Sequence, residues 1–302
     1  MTGRQVSFFI SLFHLFASLV PRSTHRIFAS TGNHLIFLVL KRYREIVKEN
    51  IRTIGKGKYT EKEVSGLAKR CFQNYSHKLL DYMTMQRLNS SNQGEWVEKE
   101  VGEENLKKAL IGGRGVICVT PHLSHWELGG YVLASKGYPI NILTLREESQ
   151  YLSHYEEGLR KRAGIRTIII DPKEKPNLAI LDIAKRLRNN EIVAMVADRI
   201  REGEGIEVEF FGQPTLFPSG AAHLAIETGA AIVPVFVVLE RNMKYWGIIR
   251  EPISIRKGGT KEEAIRQCVQ EMAMCFEEVI SQYPDQWFNF FPYWKKRMGQ
   301  HG

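Results

Sequence analysis

Two histidines, a tryptophan and a glutamate stand within six positions of the segment GRGVICVTPHLSHWELGG, residues 113–130. A histidine beside a carboxylate is a combination that acts as a general base. The carboxylate fixes the ring tautomer and stabilises the imidazolium that forms. His122 and Glu127 are therefore the candidate catalytic pair. Histidines at strand ends are also often simply hydrogen-bonded in place, so the spacing alone is weak evidence.

The local pattern decides whether His122 and Glu127 can meet. The run GVICVT reads as a buried strand, Pro121 ends its ladder, and SHWELGGYVLA reads as a helix beginning near Ser124. On one continuous helix the two residues would diverge by roughly 140°. With His122 outside the helix, one ring nitrogen can donate to Glu127 while the other faces a cleft. The carboxyl ends of strands in α/β sheets are where ligands bind.

The rest of the chain alternates between two periodicities. Apolar runs typical of strands occur at 115–120, 140–145, 166–170, 192–197 and 232–239, separated by helix-like stretches near 148–163, 177–189 and 219–229. Longer amphipathic helices are predicted from Thr60 to Met85 and from Lys261 to Gln282. We expect an α/β fold with a central, largely parallel sheet flanked by helices.

The N-terminal region has a different composition. Residues Val6 to Val20 form an apolar run of about fifteen residues, short for a full membrane span. Seven Lys and Arg side chains follow between Lys41 and Lys58, in a chain of net charge +9. We interpret residues 1–58 as a membrane-associating helical segment with a basic cluster, and residues 59–302 as the α/β domain. The alternative for the cluster is an ordinary solvated helical face.

Three further blocks follow along the chain: VADRI (196–200) after a predicted strand, FFGQPTLFPSGAA (210–222) leading into a predicted helix, and the apolar AAIVPVFV (230–237) with an internal proline. Arg199 offers a planar guanidinium that can hold a phosphate through two hydrogen bonds, or it serves a structural ion pair. Asp198 is predicted to orient Arg199. Ser219 and Gly220, after Pro218, are predicted to begin a helix whose free amides attract anions, or to form an ordinary N-cap.

These blocks resemble the glycerolipid and lipid A acyltransferase superfamily, whose members share a His-x4-Asp/Glu motif, an Arg-bearing strand end, a Pro-x-Gly turn and an apolar strand with an internal proline. The chain is most similar to the lipid A late acyltransferases (lauroyl and myristoyl transferases) and their relative, phosphatidylinositol mannoside acyltransferase. RYREIVKENI, the FFG before FPSG, and YPDQWFNFF near the C-terminus carry that likeness. FPSG departs from the Pro-Glu-Gly form of glycerol-phosphate enzymes, which argues against a simple glycerol-phosphate acceptor.

The resemblance implies a membrane-associated acyltransferase of lipopolysaccharide synthesis, with a lipid A precursor as the acceptor. Phosphatidylinositol mannoside or another phospholipid is the alternative acceptor. The donor would be an acyl carrier protein or coenzyme A thioester, with no other cofactor, at the cytoplasmic face of a bacterial inner membrane. No G-x-S-x-G elbow is present, so direct attack by the acceptor hydroxyl is expected, with His122 and Glu127 as the base.

Two hypotheses from other classes remain. His122, His125 and Glu127 could bind zinc in a hydrolase, although Pro121 removes His122 from the helix that the usual spacing needs. A non-catalytic protein that binds membranes or nucleic acid would also be basic. We expect neither a metal nor a nucleic acid partner, and we expect an anionic bilayer surface as a partner.

Overall fold

The structure is a computed structural model that describes residues 11–17, 19–89, 91–145, 150–170, 177–200, 205–255 and 258–294. Helices α1 to α10 span His25–Val39, Lys41–Gly55, Glu61–Thr84, Gln93–Trp96, Glu103–Ile111, Trp126–Ser135, Gln150–Arg162, Asn177–Arg188, Gly220–Thr228 and Lys261–Gln282. Strands β1 to β9 span Val97–Val101, Val116–Thr120, Ile140–Leu145, Arg166–Ile170, Ile192–Val196, Ile206–Phe210, Gln213–Phe217, Ala231–Leu239 and Tyr245–Ile249.

Seven strands form the central sheet in the order β1-β9-β8-β2-β5-β3-β4. Every neighbouring pair is parallel except β8 and β9, which run antiparallel. The prediction of an α/β fold with a largely parallel sheet is confirmed, and so are its five strands. Strands β1, β6, β7 and β9 are additional. The sequences of β1, β6 and β7 are short and partly polar, and Gly247 interrupts the apolar residues of β9.

Helices cover both faces of the sheet. Alternate residues of β2 face opposite sides: Ile117 and Val119 pack in one apolar cluster with α8, α9 and α10, whereas Val116 and Cys118 pack in another with α5, α6 and α7. All five β2 residues are buried, as expected for a central strand of a parallel sheet. The carboxyl end of β2, where His122 follows, therefore lies at the middle of the sheet edge.

The two longest helices begin with a capping box. Thr60 and Glu63 cap α3, and Thr260 and Glu263 cap α10, through reciprocal bonds between side chains and backbone amides. The range of α10 matches the prediction, and α3 lies one residue inside the predicted range at each end. By contrast, α6 begins at Trp126, so the predicted start near Ser124 was wrong by two residues.

Strands β6 and β7 form an antiparallel hairpin outside the main sheet. Phe211 and Gly212 connect them with φ values of +55° and +74°, the left-handed pair that a two-residue hairpin turn requires. This hairpin contains the FFG sequence, and β7 ends at Phe217, immediately before Pro218. The hairpin thus sets where the FPSG sequence begins.

The N-terminal region packs on α3 through α1 and α2. Residues 11–17 and 19 are helical, and several of their large apolar side chains are exposed, among them Leu12, Leu15 and Leu19. Residues 6–10 and 18 of the predicted membrane segment lie outside the described residues. In the described part of the chain, no helix combines the length and apolar character needed to cross a membrane.

Candidate active site

The corner after β2 presents His122, as predicted. Pro121 to His125 are not helical, and Ser124 adopts a left-handed backbone with φ of +48°. The C-terminal segment 284–294 holds this corner from outside. Phe288 N donates to the carbonyl of His122 at 2.9 Å, and Ser124 N donates to the carbonyl of Gln286 at 2.7 Å. The position of His122 therefore depends on two chain segments that are far apart in sequence.

Asp198 is the carboxylate that contacts His122. Its Oδ1 lies 2.5 Å from His122 Nδ1, and its Oδ2 accepts the His122 backbone amide at 3.0 Å. The prediction that Glu127 bonds the ring was wrong in this respect, since the Nδ1 atom is occupied by Asp198. With Nδ1 donating to Asp198, the lone pair is on Nε2, which is left for a substrate.

The Asp198 carboxylate stays ionised in a buried position. Its side chain is fully buried, and burial alone would raise the pKa of the carboxyl. His122 and Arg199 outweigh that effect and hold the pKa of Asp198 well below its ordinary value. Trp287 Nε1 donates to Oδ2 at 2.9 Å, and the Tyr293 hydroxyl donates to the Asp198 carbonyl. A fixed negative charge therefore adjoins the His122 ring.

Glu127 lies in a separate ion pair. Its Oε2 is 3.4 Å from Lys78 Nζ, and within the described part of the chain that oxygen makes no hydrogen bond. Burial alone would raise the pKa of Glu127, but Lys78, His125 and Arg160 lower it below its ordinary value. The Lys78 ammonium also lies 4.2 Å from the Trp126 ring centroid. The two carboxylates of the site are therefore both ionised, but Glu127 pairs with Lys78 whereas Asp198 contacts the His122 ring.

His125 is buried and distinct in character from His122. Burial, with Lys78 as the next cause, lowers its pKa to about 4, so the ring is neutral near pH 7. Its Nδ1 is 3.8 Å from Glu127 Oε2, and neither ring nitrogen has a hydrogen-bond partner among the described residues. Those residues contain no group of three His, Cys, Asp or Glu side chains suited to holding a metal ion.

Arg199 is held by the C-terminal segment and not by Asp198. Its Nε donates to Asn289 Oδ1 at 2.8 Å, and its Nη2 donates to the Phe288 carbonyl at 2.6 Å. The prediction that Asp198 orients Arg199 is corrected accordingly, because both Asp198 oxygens are engaged with His122 and Trp287. No described residue accepts a hydrogen bond from the Nη1 atom, so one edge of the guanidinium is free for a ligand.

The N-terminus of α9 lies at the same site. Ser219 is the N-cap and Gly220 the first helical residue, as predicted, and the Ser219 side chain makes no capping bond. The first backbone amides of a helix have no partner inside it, and the helix dipole makes this end attractive to anions. Pro218, Ser219 and Gly220 thus add backbone donors to the positive charge of Arg199.

A cavity of about 930 Å³ joins these groups. His122, Glu127, Arg199, Ser219 and Gly220 all line it. Its remaining walls are mostly apolar side chains of α6 and of strands β2, β3, β5, β8 and β9. The cavity therefore offers a polar region at the sheet edge and an apolar space that reaches beneath α6.

Three contributors to the site were missed by the sequence analysis. Trp287 and Asn289 lie in YPDQWFNFF, which was noted for its resemblance only, and Lys78 lies on α3, which was predicted only as an amphipathic helix. The available signal was the density of hydrogen-bonding aromatic and amide side chains in residues 283–291. A lysine within an otherwise apolar helical face was the corresponding signal in α3.

Comparison of the sequence with known proteins identifies an acyltransferase family and several acyltransferase relatives. The family model described as bacterial lipid A biosynthesis acyltransferase matches residues 1–296. Phosphatidylinositol mannoside acyltransferase of Mycobacterium tuberculosis is 30% identical over 193 residues, which are 64% of this chain and 58% of the relative. The enzyme of the same name from Mycolicibacterium smegmatis is 32% identical over 193 residues, 63% of this chain and 60% of the relative. The matched stretch thus spans less than two thirds of each relative.

Proposed function

Because the chain belongs to the bacterial lipid A biosynthesis acyltransferase family, we propose that it transfers a fatty acyl chain from an acyl thioester to a hydroxyl group of a phosphate-bearing glycolipid. The observation that carries the proposal is the His122–Asp198 pair at the edge of a largely apolar cavity. A base beside an apolar space suits an alcohol nucleophile and a long acyl chain.

The reaction transfers one proton from the acceptor hydroxyl to His122 and then from His122 to the departing thiolate. His122 Nε2 takes the proton of the acceptor hydroxyl while that oxygen attacks the thioester carbonyl. The tetrahedral intermediate then breaks its carbon–sulfur bond, and the imidazolium returns the proton to the departing thiolate. Asp198 stabilises the positive ring during this interval, as the carboxylate does in a serine-protease triad. No protein nucleophile is required.

Arg199 and the N-terminus of α9 supply the binding of anions. Arg199 presents its free edge, and the α9 amides add hydrogen-bond donors at the same cavity. Either the acceptor's phosphate or the phosphopantetheine of the donor can use such groups. Glu127 stays a predicted member of the catalytic site. We expect it to act by holding the Lys78 ammonium, since it does not contact the His122 ring.

Both acceptor classes remain candidates. A lipid A precursor agrees with the family, and phosphatidylinositol mannoside is the acceptor in the names of the relatives. The donor is an acyl carrier protein or coenzyme A thioester, without a further cofactor. We expect the reaction at the cytoplasmic face of a bacterial inner membrane, to which the exposed apolar N-terminal side chains would bind.

The proposal is tested by a reconstituted assay. Wild-type protein and His122→Ala would be given acyl carrier protein or coenzyme A thioesters with a lipid A precursor or with phosphatidylinositol mannoside. Mass spectrometry should detect one added acyl chain on one acceptor. His122→Ala should lower turnover by about 10²- to 10⁴-fold, the usual contribution of a general base. A folded His122→Ala variant with near-normal turnover would contradict the mechanism.

A second arm tests the phosphate site. The same acceptor would be supplied with and without its phosphate to wild-type protein and to Arg199→Lys, which keeps the charge but loses the planar fork. If Arg199 binds the acceptor phosphate, only the phosphorylated acceptor should be used less well by the variant. Equal losses on the two acceptors would instead assign Arg199 to the donor or to a structural role.

A further inference from the structure

We propose that Trp287 is a positioning residue of the catalytic site, which fixes the Asp198 carboxylate and thereby the His122 ring. The proposal rests on the proposed function of His122 as the base. Trp287 is nearly completely buried, at 3% exposure, and its Nε1–H donates to Asp198 Oδ2 at 2.9 Å. The same oxygen accepts the backbone amide of His122.

The geometry gives the Asp198 carboxylate three donors from two directions. The backbone and ring of His122 supply two of them, and the Trp287 indole supplies the third. A carboxylate with one oxygen held by both an amide and an indole cannot rotate without breaking both bonds. The other oxygen is then kept in line with His122 Nδ1. Trp287 therefore restricts the orientation of the Asp198 carboxylate, which in turn restricts the orientation of the His122 ring.

Trp287 is itself fixed by the fold. Leu123 and Trp287 form an isolated antiparallel bridge, flanked by the bonds from Phe288 N to the His122 carbonyl and from Ser124 N to the Gln286 carbonyl. Its ring also packs against Tyr293 and Phe210, with centroids 4.6 and 5.8 Å away. One segment thus holds the backbone of the base and the carboxylate behind it.

The loss of the indole hydrogen bond should act on the chemical step and not on substrate binding. Trp287 does not line the cavity, so its replacement leaves the contacts of the substrate in place. It does release Asp198 Oδ2, and the carboxylate can then turn away from His122 Nδ1. The change should therefore lower kcat and leave KM nearly unaltered, whereas a role in packing alone would not single out kcat.

Trp287→Phe is the first test, with Trp246→Phe as the matched control. Trp246 also donates its indole N–H to a carboxylate, Glu98, at 2.8 Å, and like Trp287 it does not line the cavity. We expect Trp287→Phe to lower kcat by about 10-fold or more, comparable to the effect of losing a hydrogen bond that orients a metal-ligating side chain. KM should stay within about twofold, because Trp287 does not line the cavity. Trp246→Phe should match wild type.

A variant that keeps the shape of the side chain guards against misfolding. Replacing Trp287 by benzothienylalanine exchanges the indole N–H for sulfur in a ring of nearly the same size, and it should reproduce the kinetic change of Trp287→Phe. In an Asp198→Asn background, Trp287→Phe should cost little more, because the two changes act on one interaction.

The outcomes separate this inference from the proposed function. Wild-type kcat in the benzothienylalanine protein, with His122→Ala inactive, would overturn the role of Trp287 alone. So would an undiminished loss from Trp287→Phe in the Asp198→Asn background. Activity retained by a folded His122→Ala variant would overturn both the base and the residue proposed to position it.

Discussion

Glu127 lines the cavity and Asp198 is buried next to His122, and different neighbours give these two ionised carboxylates different tasks. Asp198 contacts the His122 ring directly, whereas Glu127 pairs with the buried Lys78. A carboxylate acts on a general base through contact with its ring nitrogen, because it must fix the tautomer and stabilise the charge there. At the residue scale the structure thus favours Asp198 as the partner of the base.

This difference predicts which of two substitutions, Asp198→Asn or Glu127→Gln, lowers kcat more. Asp198→Asn removes the charge beside His122 and should lower kcat by about 10²- to 10⁴-fold. Glu127→Gln should lower kcat less, and its main effect should be a lower thermal stability, because Lys78 is left buried without its counter-charge. The measurements are steady-state kinetics and thermal unfolding of both variants.

The double variant Lys78→Met/Glu127→Gln provides the control. Removal of both charges should recover part of the stability lost in Glu127→Gln. A loss of kcat in Glu127→Gln that equals or exceeds the loss in Asp198→Asn would contradict this assignment and would return Glu127 to the role that its spacing suggested.

At the scale of the elements, helix α6 determines how much room lies over the sheet. Gly129 and Gly130 stand on its face toward the strands, and both line the cavity. A Cβ atom on Gly129 would lie 3.0 Å from Val237 Cγ2, and one on Gly130 would lie 3.3 Å from Ile142 Cδ1. The two glycines therefore let α6 approach the sheet, and the space between α6 and the strands stays open to a ligand.

Substitution of Gly130 should change the preferred acyl length. In Gly130→Val the added side chain occupies the space near Ile142, so we expect the preference to move to shorter acyl donors. Competition between acyl thioesters of different length measures this change. Gly158→Val is the matched control, since Gly158 is also helical but has no atom within 4 Å of a Cβ there. The same length preference in both variants would place the acyl chain elsewhere.

A buried cluster around Asp81 connects the N-terminal region to the sheet. The Asp81 carboxylate accepts Arg22 at 3.0 Å, His25 at 2.8 Å and the Tyr245 hydroxyl at 2.9 Å. Burial alone would raise the pKa of Asp81, but His77, His25 and Arg22 lower it well below its ordinary value of 3.8. The stabilisation from this depressed pKa is complete above the ordinary value and is lost as the pH falls below it.

Asp81→Asn should lower the free energy of unfolding by about 3 kcal/mol or more near neutral pH, because it leaves the Arg22 guanidinium without its buried counter-charge. The difference from wild type should shrink as the pH falls below 3.8. Denaturant unfolding of both proteins at several pH values measures this difference in the free energy of unfolding. Asp182→Asn is the control, since Asp182 is 41% exposed in its pair with Arg186 and should cost little. A difference that stays constant down to acid pH would contradict the role of the charge.

At the scale of the whole molecule, exposed apolar side chains concentrate in the N-terminal region. Leu12, Leu15, Leu19 and Ile27 are between 53% and 76% exposed. The basic residues of α2 are partly neutralised, since Arg44, Lys48 and Arg52 pair with glutamates, while Lys41 and Arg42 are exposed. Attraction to a bilayer should therefore depend more on the apolar side chains than on the charges.

The triple variant Leu12→Gln, Leu15→Gln, Leu19→Gln should weaken binding to vesicles of mixed neutral and anionic lipid, because it removes apolar area from the bilayer contact. Co-sedimentation with these vesicles at low and high salt measures the effect. Ile111→Gln is the control, since Ile111 is 84% exposed but lies at the end of α5. Equal binding by the triple variant, Ile111→Gln and wild type would refute an apolar N-terminal contact.

Local pattern in the sequence by itself determined five strands of the sheet, the two longest helices, the α/β class and the corner that carries His122. Buried strands and amphipathic helices have periodicities that short windows reveal, and Pro121 and Ser219 act on their immediate neighbours. The resemblance carried by its blocks also identified the family. Those inferences required no knowledge of which distant segments meet.

Only the tertiary structure decided the partners of the site residues. His122 lies 76 positions from Asp198, and Asp198 lies 89 from Trp287, so their contacts depend on the order of strands in the sheet and on the return of the C-terminal segment to the β2 corner. The sequence offered Glu127 because it is near along the chain. The fold offered Asp198 because parallel strands β2 and β5 are adjacent and end at the same edge, which places the residues that follow them side by side.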